Sequence, residues 1–451
     1  MTNINKEILR LAIPSILANI TIPLVGIVDT SIVGHLSDAA AIGGIAIGTM
    51  LFDLLYWNFA FLRLGTSGLT AQALGRMASG REQSFGVPDE CAKIFDRSIT
   101  LASISAVFVW AIQWFFVTLV LAILPCSPEV ASVARDYFFV RVIAAPATLS
   151  LMAFKGWFIG MQDTRSPMAV DILVNVLNII ASYALAVYTP LGVVGVAWGT
   201  VIAQYAGLVL AIILLARRYP DVWAQCHKSR ALREAIQWDE MRRMMKLNGN
   251  LFIRSLCFMV VYVGFTILAS TYGDAELAVS SMLMKLFLFF SYFVDGFAYA
   301  GEALVGKAFG RIASGGEQSS IGPVVRSLFN WCIWVGLLFT AIYALWGGEC
   351  MELMTNDRTV LDAVRPYMGW LIAMPLMSAL AFMWDGVYVG ATAGVEIRNA
   401  MIWAAAGFIV LYVLTYRFVG AQALYIAYFA HLAARVVYLT IKWKKVVKFE
   451  I

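Results

Sequence analysis

Twelve apolar runs, each long enough to cross a bilayer, fill most of this 451-residue chain. A helical span needs about 20 such residues. The runs fall near 8–33, 41–64, 94–124, 131–159, 167–189, 192–216, 247–271, 277–306, 324–346, 360–391, 398–417 and 420–441. Between them only 14% of the residues are charged, against about 25% in a soluble domain. That leaves too little polar surface for water, so the expected class is an all-α integral membrane protein with twelve transmembrane helices. The longest polar stretch runs only from Arg217 to Lys246, which is no room for a separate soluble domain.

The net charge of +5 is not a nucleic-acid signal, because its placement follows the connections between spans. Alternate connections on one side carry twenty-three Lys and Arg, against four on the other: Arg135, Arg358, Arg365 and Arg417. By the positive-inside rule both termini are then cytoplasmic. The first run is too long for a signal-peptide core and has no small-residue cleavage site after it, so it is expected to remain in the mature protein. The six cysteines show no CxxC or zinc spacing. Cys126 and Cys350 share the outer side, where a bridge is open to them, although two unpaired small residues is the simpler account.

The chain repeats itself. Asp38-Ala39-Ala40 answers Asp274-Ala275-Glu276, Ala73-Leu74-Gly75-Arg76 answers Ala308-Phe309-Gly310-Arg311, and the pair Gly156 and Gly160 answers Gly386 and Gly390. Three matches in order, each at the end of the corresponding span, point to two lobes of six helices related by a pseudo-two-fold axis along the membrane normal. The glycines themselves serve close helix packing. The expected organisation is an N-terminal lobe over 1–216, a cytoplasmic linker over 217–246 and a C-terminal lobe over 247–451. Within the linker, the segment from Trp238 reads as a short amphipathic helix on the membrane surface.

Charges inside the spans carry the functional signal, since a carboxylate at the centre of a helix costs about 2.5–3.5 kcal/mol on insertion scales. Asp29, Asp53, Lys285, Asp295 and Asp385 lie deep in their runs. Arg63, Arg141 and Lys155 are further candidates. Arg254, Glu302, Asp171 and Arg435 lie near span ends, where long side chains reach the interface at little cost. Lys285 and Asp295 share the eighth span and are candidates to pair. Burial disfavours the charged form of a carboxyl, so such a group can exchange its proton near neutral pH, as an ion-coupled pump requires. Pro14 and Pro23 give the first span two places to bend. Asn175, Asn178, Ser182 and Thr200 offer oxygens to a cation or proton network, or simply pack between helices. No Walker A or HExxH motif occurs, and His35, His227 and His431 are scattered. ATP-driven transport and a metalloenzyme therefore find no support.

The stretches PLVGIVDTSIVGH (Pro23 to His35), FLRLGTSGLTAQALG (Phe61 to Gly75), DGFAYAGE (Asp295 to Glu302) and DGVYVGAT (Asp385 to Thr392) resemble the multidrug and toxic compound extrusion (MATE) family, in its DinF-like branch. The similarity runs from Ile8 to about Ile441. It implies two six-helix lobes about a central cleft, exporting organic compounds, cationic or amphiphilic, in exchange for protons or, second, sodium. Asp29 then corresponds to the first-span coupling carboxylate and Pro14 to the proline where that helix bends. Asn178 and Thr200 match polar members of the same network. Ser182 departs from the pattern, standing where the family often has a second Asp, and Asp53 is the candidate to replace that charge. Lys285, Asp295, Glu302 and Asp385 are the second-lobe candidates. Beyond the coupling ion no cofactor and no metal is expected. The expected partners are small organic substrates and membrane lipids, with no nucleic acid, and the chain is expected to act as a monomer in a bacterial inner membrane. A lipid-linked oligosaccharide flippase, or a membrane enzyme or scaffold without transport, are the competing readings.

Overall fold

A computed structural model describes residues 3–36, 39–78, 87–124, 126–226, 237–315 and 321–449. Within its helices a few side chains, that of Asp29 among them, lie outside the described set, as do residues 227–236 of the connection between halves and Asp38. The described residues are helical with no strand, and twelve helical segments are long and apolar enough to cross a membrane. The outward faces are greasy, as lipid requires: Trp114 and Phe115 on the third span are 65% and 72% exposed. One expected boundary moves. The segment from Trp238 is no separate surface helix but the start of the seventh span, Trp238–Ser270. Nothing in it breaks a helix, and Glu240 is tied to Arg97 at 3.3 Å.

The chain forms two compact units, one of Met1–Ile16, Ala71–Arg81 and Lys246–Ile451, the other of Leu17–Thr70 and Glu82–Met245. The division cuts the first helix, Asn3–Leu36, between Ile16 and Leu17, two residues past Pro14. Proline removes one backbone hydrogen bond there, which makes this the natural place for the helix to yield.

Repetition is visible in backbone detail. After the fourth span Gln162 adopts a left-handed φ of 60°, and after the tenth Thr392 adopts 55°. Asp163 N–H donates to Phe158 O at 2.9 Å in one turn, and Ala393 N–H donates to Tyr388 O at 3.0 Å in the other. A side chain with a Cβ enters that region at some cost, so finding it twice at matching positions marks a conserved turn geometry within the chain itself. The repeated glycines also act alike. A Cβ on Gly156 would strike the Arg63 carbonyl, and one on Gly386 would come within 2.5 Å of the Ala298 carbonyl. In the unit that contains Ala71–Arg81, Gly75 and Gly310 meet each other directly, each placing the other's Cα 2.9 Å from where a Cβ would stand.

Two spans of the Leu17–Thr70, Glu82–Met245 unit are interrupted. The second changes to a 3-10 turn at Trp57–Ala60, and the fourth at Val142–Ala144. Mid-helix turns of this kind free backbone carbonyls that need other donors. At the fourth span they find them: Trp110 Nε1 donates to Val142 O and Tyr205 Oη to Ile143 O, both at 3.0 Å. The interruption is therefore built in by side chains of neighbouring spans.

Candidate cavity and charge clusters

A cavity of about 510 Å³ opens inside the Leu17–Thr70, Glu82–Met245 unit. That is the size range of small-molecule sites. Its wall is mostly apolar, with Ile22, Ile42, Ile45 and Val174, and its polar groups are Thr49, Asp53, Arg141, Asn175, Asn178, Thr200 and Gln204. Each comes from a different turn of four spans, so only the folded unit brings them together.

Asn178 is buried, and its Nδ2 donates to Thr200 Oγ1 at 2.9 Å. Thr200 passes the chain on, donating to Val196 O at 3.3 Å. Among the described residues Asn178 Oδ1 is left buried with no hydrogen-bond partner. An unmet buried acceptor costs about 1–3 kcal/mol, so this wall is short of a donor. Asn175 Nδ2 donates to Thr21 Oγ1 at 2.5 Å, which fastens the fifth span to the first.

Ser182 does not join the cavity wall. It is fully buried where the fifth and sixth spans cross, and its hydroxyl donates to Val196 O at 3.2 Å. Gly199 sits so close that its Cβ would collide with the Ser182 backbone nitrogen at 2.5 Å. That crossing leaves no space for a side chain at position 199. Asp53, by contrast, is exposed to the cavity and makes no hydrogen bond among the described residues.

Arg141 ends the helix Pro128–Arg141, just before the interruption. Its Cζ lies 4.2 Å from the centre of the Phe52 ring, and its Nη1 donates to Tyr137 Oη at 3.2 Å. Nε is buried without a hydrogen-bond partner among the described residues. Phe52 in turn stacks on Tyr56 with ring centres 4.1 Å apart, so the guanidinium rests on a rigid aromatic column.

The other intramembrane charges are arranged differently. Lys155 and Asp171 pair at 2.6 Å, both side chains about one-fifth exposed or slightly more. Asp385 Oδ2 accepts from Arg254 Nη2 at 2.6 Å and from Arg435 Nη2 at 2.7 Å. Arg435 is 1% exposed and Glu302 2%, so neither reaches the interface as their positions near span ends suggested. The helix Gln422–Phe449 continues well past Arg435, which places that residue in the packed interior. Lys285 is exposed while Asp295 is half-buried, and no ion pair joins them among the described residues. Ten positions along a helix separate two residues by about 15 Å, which explains it. None of the six cysteines forms a disulfide, Cys126 and Cys350 included.

The MatE family model matches residues 14–184 and 251–417, one stretch in each half. The DNA damage-inducible protein F of Escherichia coli K12 is 32% identical over 448 residues, covering 99% of this chain and 93% of that protein. The chloroplastic protein DETOXIFICATION 44 of Arabidopsis thaliana is 25% identical, covering 86% of this chain and 72% of its own length. Among solved structures, an outward-facing multidrug resistance MATE family transporter superposes with a TM-score of 0.84 at 17% identity, covering 98% of this chain and 96% of the other. A MOP superfamily transporter from Pyrococcus furiosus gives 0.85 at 16% identity, with 99% and 97% covered. At such identities the structural likeness speaks for the fold.

Proposed function

The chain belongs to the MatE family of multidrug and toxin extrusion transporters, and from that premise we propose that it exports organic cations or amphiphiles in exchange for protons. Its relatives are transporters, not enzymes, and the twelve spans make it a multi-pass membrane protein. The observation that carries the coupling proposal is the cavity wall. Among the described residues Asn178 Oδ1 lacks a donor and Asp53 lacks any hydrogen bond, so the wall favours whatever brings a proton or an ammonium group to it. Asp29, on the first span, is the principal coupling carboxylate, with Asn178 and Thr200 as polar members of the network and Asp53 as the second acid.

A proton needs one carboxylate that can take it up. Sodium without water needs several oxygens and enough negative charge to offset dehydration, and Ser182 supplies neither to this wall. Proton coupling is therefore preferred over sodium. Asp385 receives no coupling role, because two guanidiniums hold its oxygen. Pro14 serves as the flexing point as the cavity alternates between the two sides of a bacterial inner membrane, with both termini in the cytoplasm.

Reconstituted vesicles test this. An imposed proton gradient without sodium should drive ethidium movement, and Asp29→Asn should abolish it while the protein stays folded. Transport driven by a sodium gradient at clamped pH, and not by protons, would overturn the ion assignment. Full transport by Asp29→Asn would remove that residue from the mechanism.

A further inference from the structure

Asp53 and Arg141 line the same cavity, carry opposite charge and are not joined by an ion pair or hydrogen bond. Facing a cavity spares them most of the cost of a charge in hydrocarbon, yet mutual contact would still favour both. The other described intramembrane acids with charged partners are in contact with them, as Lys155 with Asp171 and Asp385 with its two arginines. Asp53 and Arg141 are kept apart by construction. Arg141 is pinned by the Phe52 ring and by Tyr137, and it stands at the end of a helix whose interruption is held by Trp110 and Tyr205. It cannot swing to Asp53 without losing that support. Its Nε also remains an unmet buried donor among the described residues.

We infer that this cavity selects zwitterionic amphiphiles, with an ammonium group at Asp53, a carboxylate or similar anion at Arg141, and an apolar body against Ile22, Ile42 and Val174. The inference rests on the export reading above and narrows its substrate class. Each pole satisfies one end of such a molecule with a charge-assisted hydrogen bond. A singly charged compound leaves the opposite pole unmet, and a neutral one leaves both. Proton exchange fits the same geometry, because a proton arriving at Asp53 competes with the ammonium group and weakens its hold.

Nε-dansyl-lysine provides the probe, a zwitterion on a fluorescent apolar body. Its methyl ester is a cation, its N-acetyl derivative an anion, and the doubly blocked compound is neutral. Fluorescence polarisation on the full-length purified protein should find the zwitterion bound about tenfold tighter than either singly charged form, the size of one charge-assisted contact. Asp53→Asn should erase its advantage over the anion and leave its advantage over the cation. Arg141→Gln should do the reverse, while Arg141→Lys, which keeps the charge, should retain part of the preference and guards against loss of fold. Equal affinity for all four compounds, binding of none, or variants that shift all four alike would each overturn the inference. Ethidium transport measured in parallel keeps the two readings separate. Normal transport without zwitterion preference sinks only the substrate class, and preference without transport sinks the export reading.

Discussion

Replacing Asp385 by asparagine is the sharpest probe of how the C-terminal spans tolerate charge. Asp385 Oδ2 sits 2.6 and 2.7 Å from two guanidinium nitrogens, with side-chain exposures of 11% for the acid, 16% for Arg254 and 2% for Arg435. At an effective dielectric near 20, each attraction amounts to about 4 kcal/mol before desolvation is counted. Asp385→Asn removes both and leaves two like charges facing one neutral oxygen. Removing one partner of a buried ion pair costs about 3–5 kcal/mol. On a per-residue scale, for 451 residues, that lowers the melting midpoint by about 3–5 °C, read by size-exclusion of heated samples. Arg254→Gln should cost less than Arg435→Gln, because Arg254 keeps more contact with its surroundings outside the protein. A triple change to apolar residues (Arg254→Met, Asp385→Leu, Arg435→Met) should recover most of the loss, since no charge is stranded. At temperatures where Asp385→Asn is folded, gradient-driven transport should persist. A midpoint unchanged by Asp385→Asn would refute the electrostatic reasoning, and a folded variant with no transport would return Asp385 to the coupling mechanism.

Gly310→Val should lower yield and melting midpoint, with an overpacking cost of about 1–3 kcal/mol or more, because the new Cβ meets Gln72 and Gly75 backbone; Gly407→Ala, with open space around it, should be neutral or slightly stabilising in the same assay. Cys226 lies outside the spans, and burial together with the Asp96 carboxylate beside it pushes its thiol up to about 12. The neutral thiol therefore persists through pH 8. Maleimide labelling there should be about a thousandfold slower than for a free thiol and should climb steadily towards pH 12, whereas Asp96→Asn should speed it; rapid labelling of the unaltered protein at pH 8 would contradict the assignment.

The twelve spans were legible because long apolar runs leave few alternatives, and the doubled glycines foretold close helix crossings at Gly156 and Gly386. The helix interruptions at Trp57–Ala60 and Val142–Ala144 were not, since an apolar 3-10 turn has the same composition as the α-helix around it. Charge partners were illegible for a different reason. Arg254, Asp385 and Arg435 come from three spans far apart in the chain, and no local pattern announces their meeting. Arg435 near the end of an apolar run looked like an interface residue, and only the helix continuing to Phe449 places it inside. At the cavity, Asn178 with Thr200 was anticipated as a polar pair. For Ser182 the sequence left both a network role and a packing role open, because what separates them, its close approach to Gly199 on another helix, leaves no local pattern.

The meeting of Gly75 with Gly310 has a consequence for the origin of such a chain. These two glycines are counterparts in the repeat, and each places its Cα 2.9 Å from where a side chain on the other would begin. A patch that contacts its own equivalent is isologous, the kind of surface two identical subunits share across a two-fold axis. A half-length ancestor with one such glycine on its second helix would thus already have carried the face needed to recognise another copy of itself. Joining two copies end to end makes that encounter intramolecular, at an effective concentration set by the connection rather than by the number of molecules in the membrane.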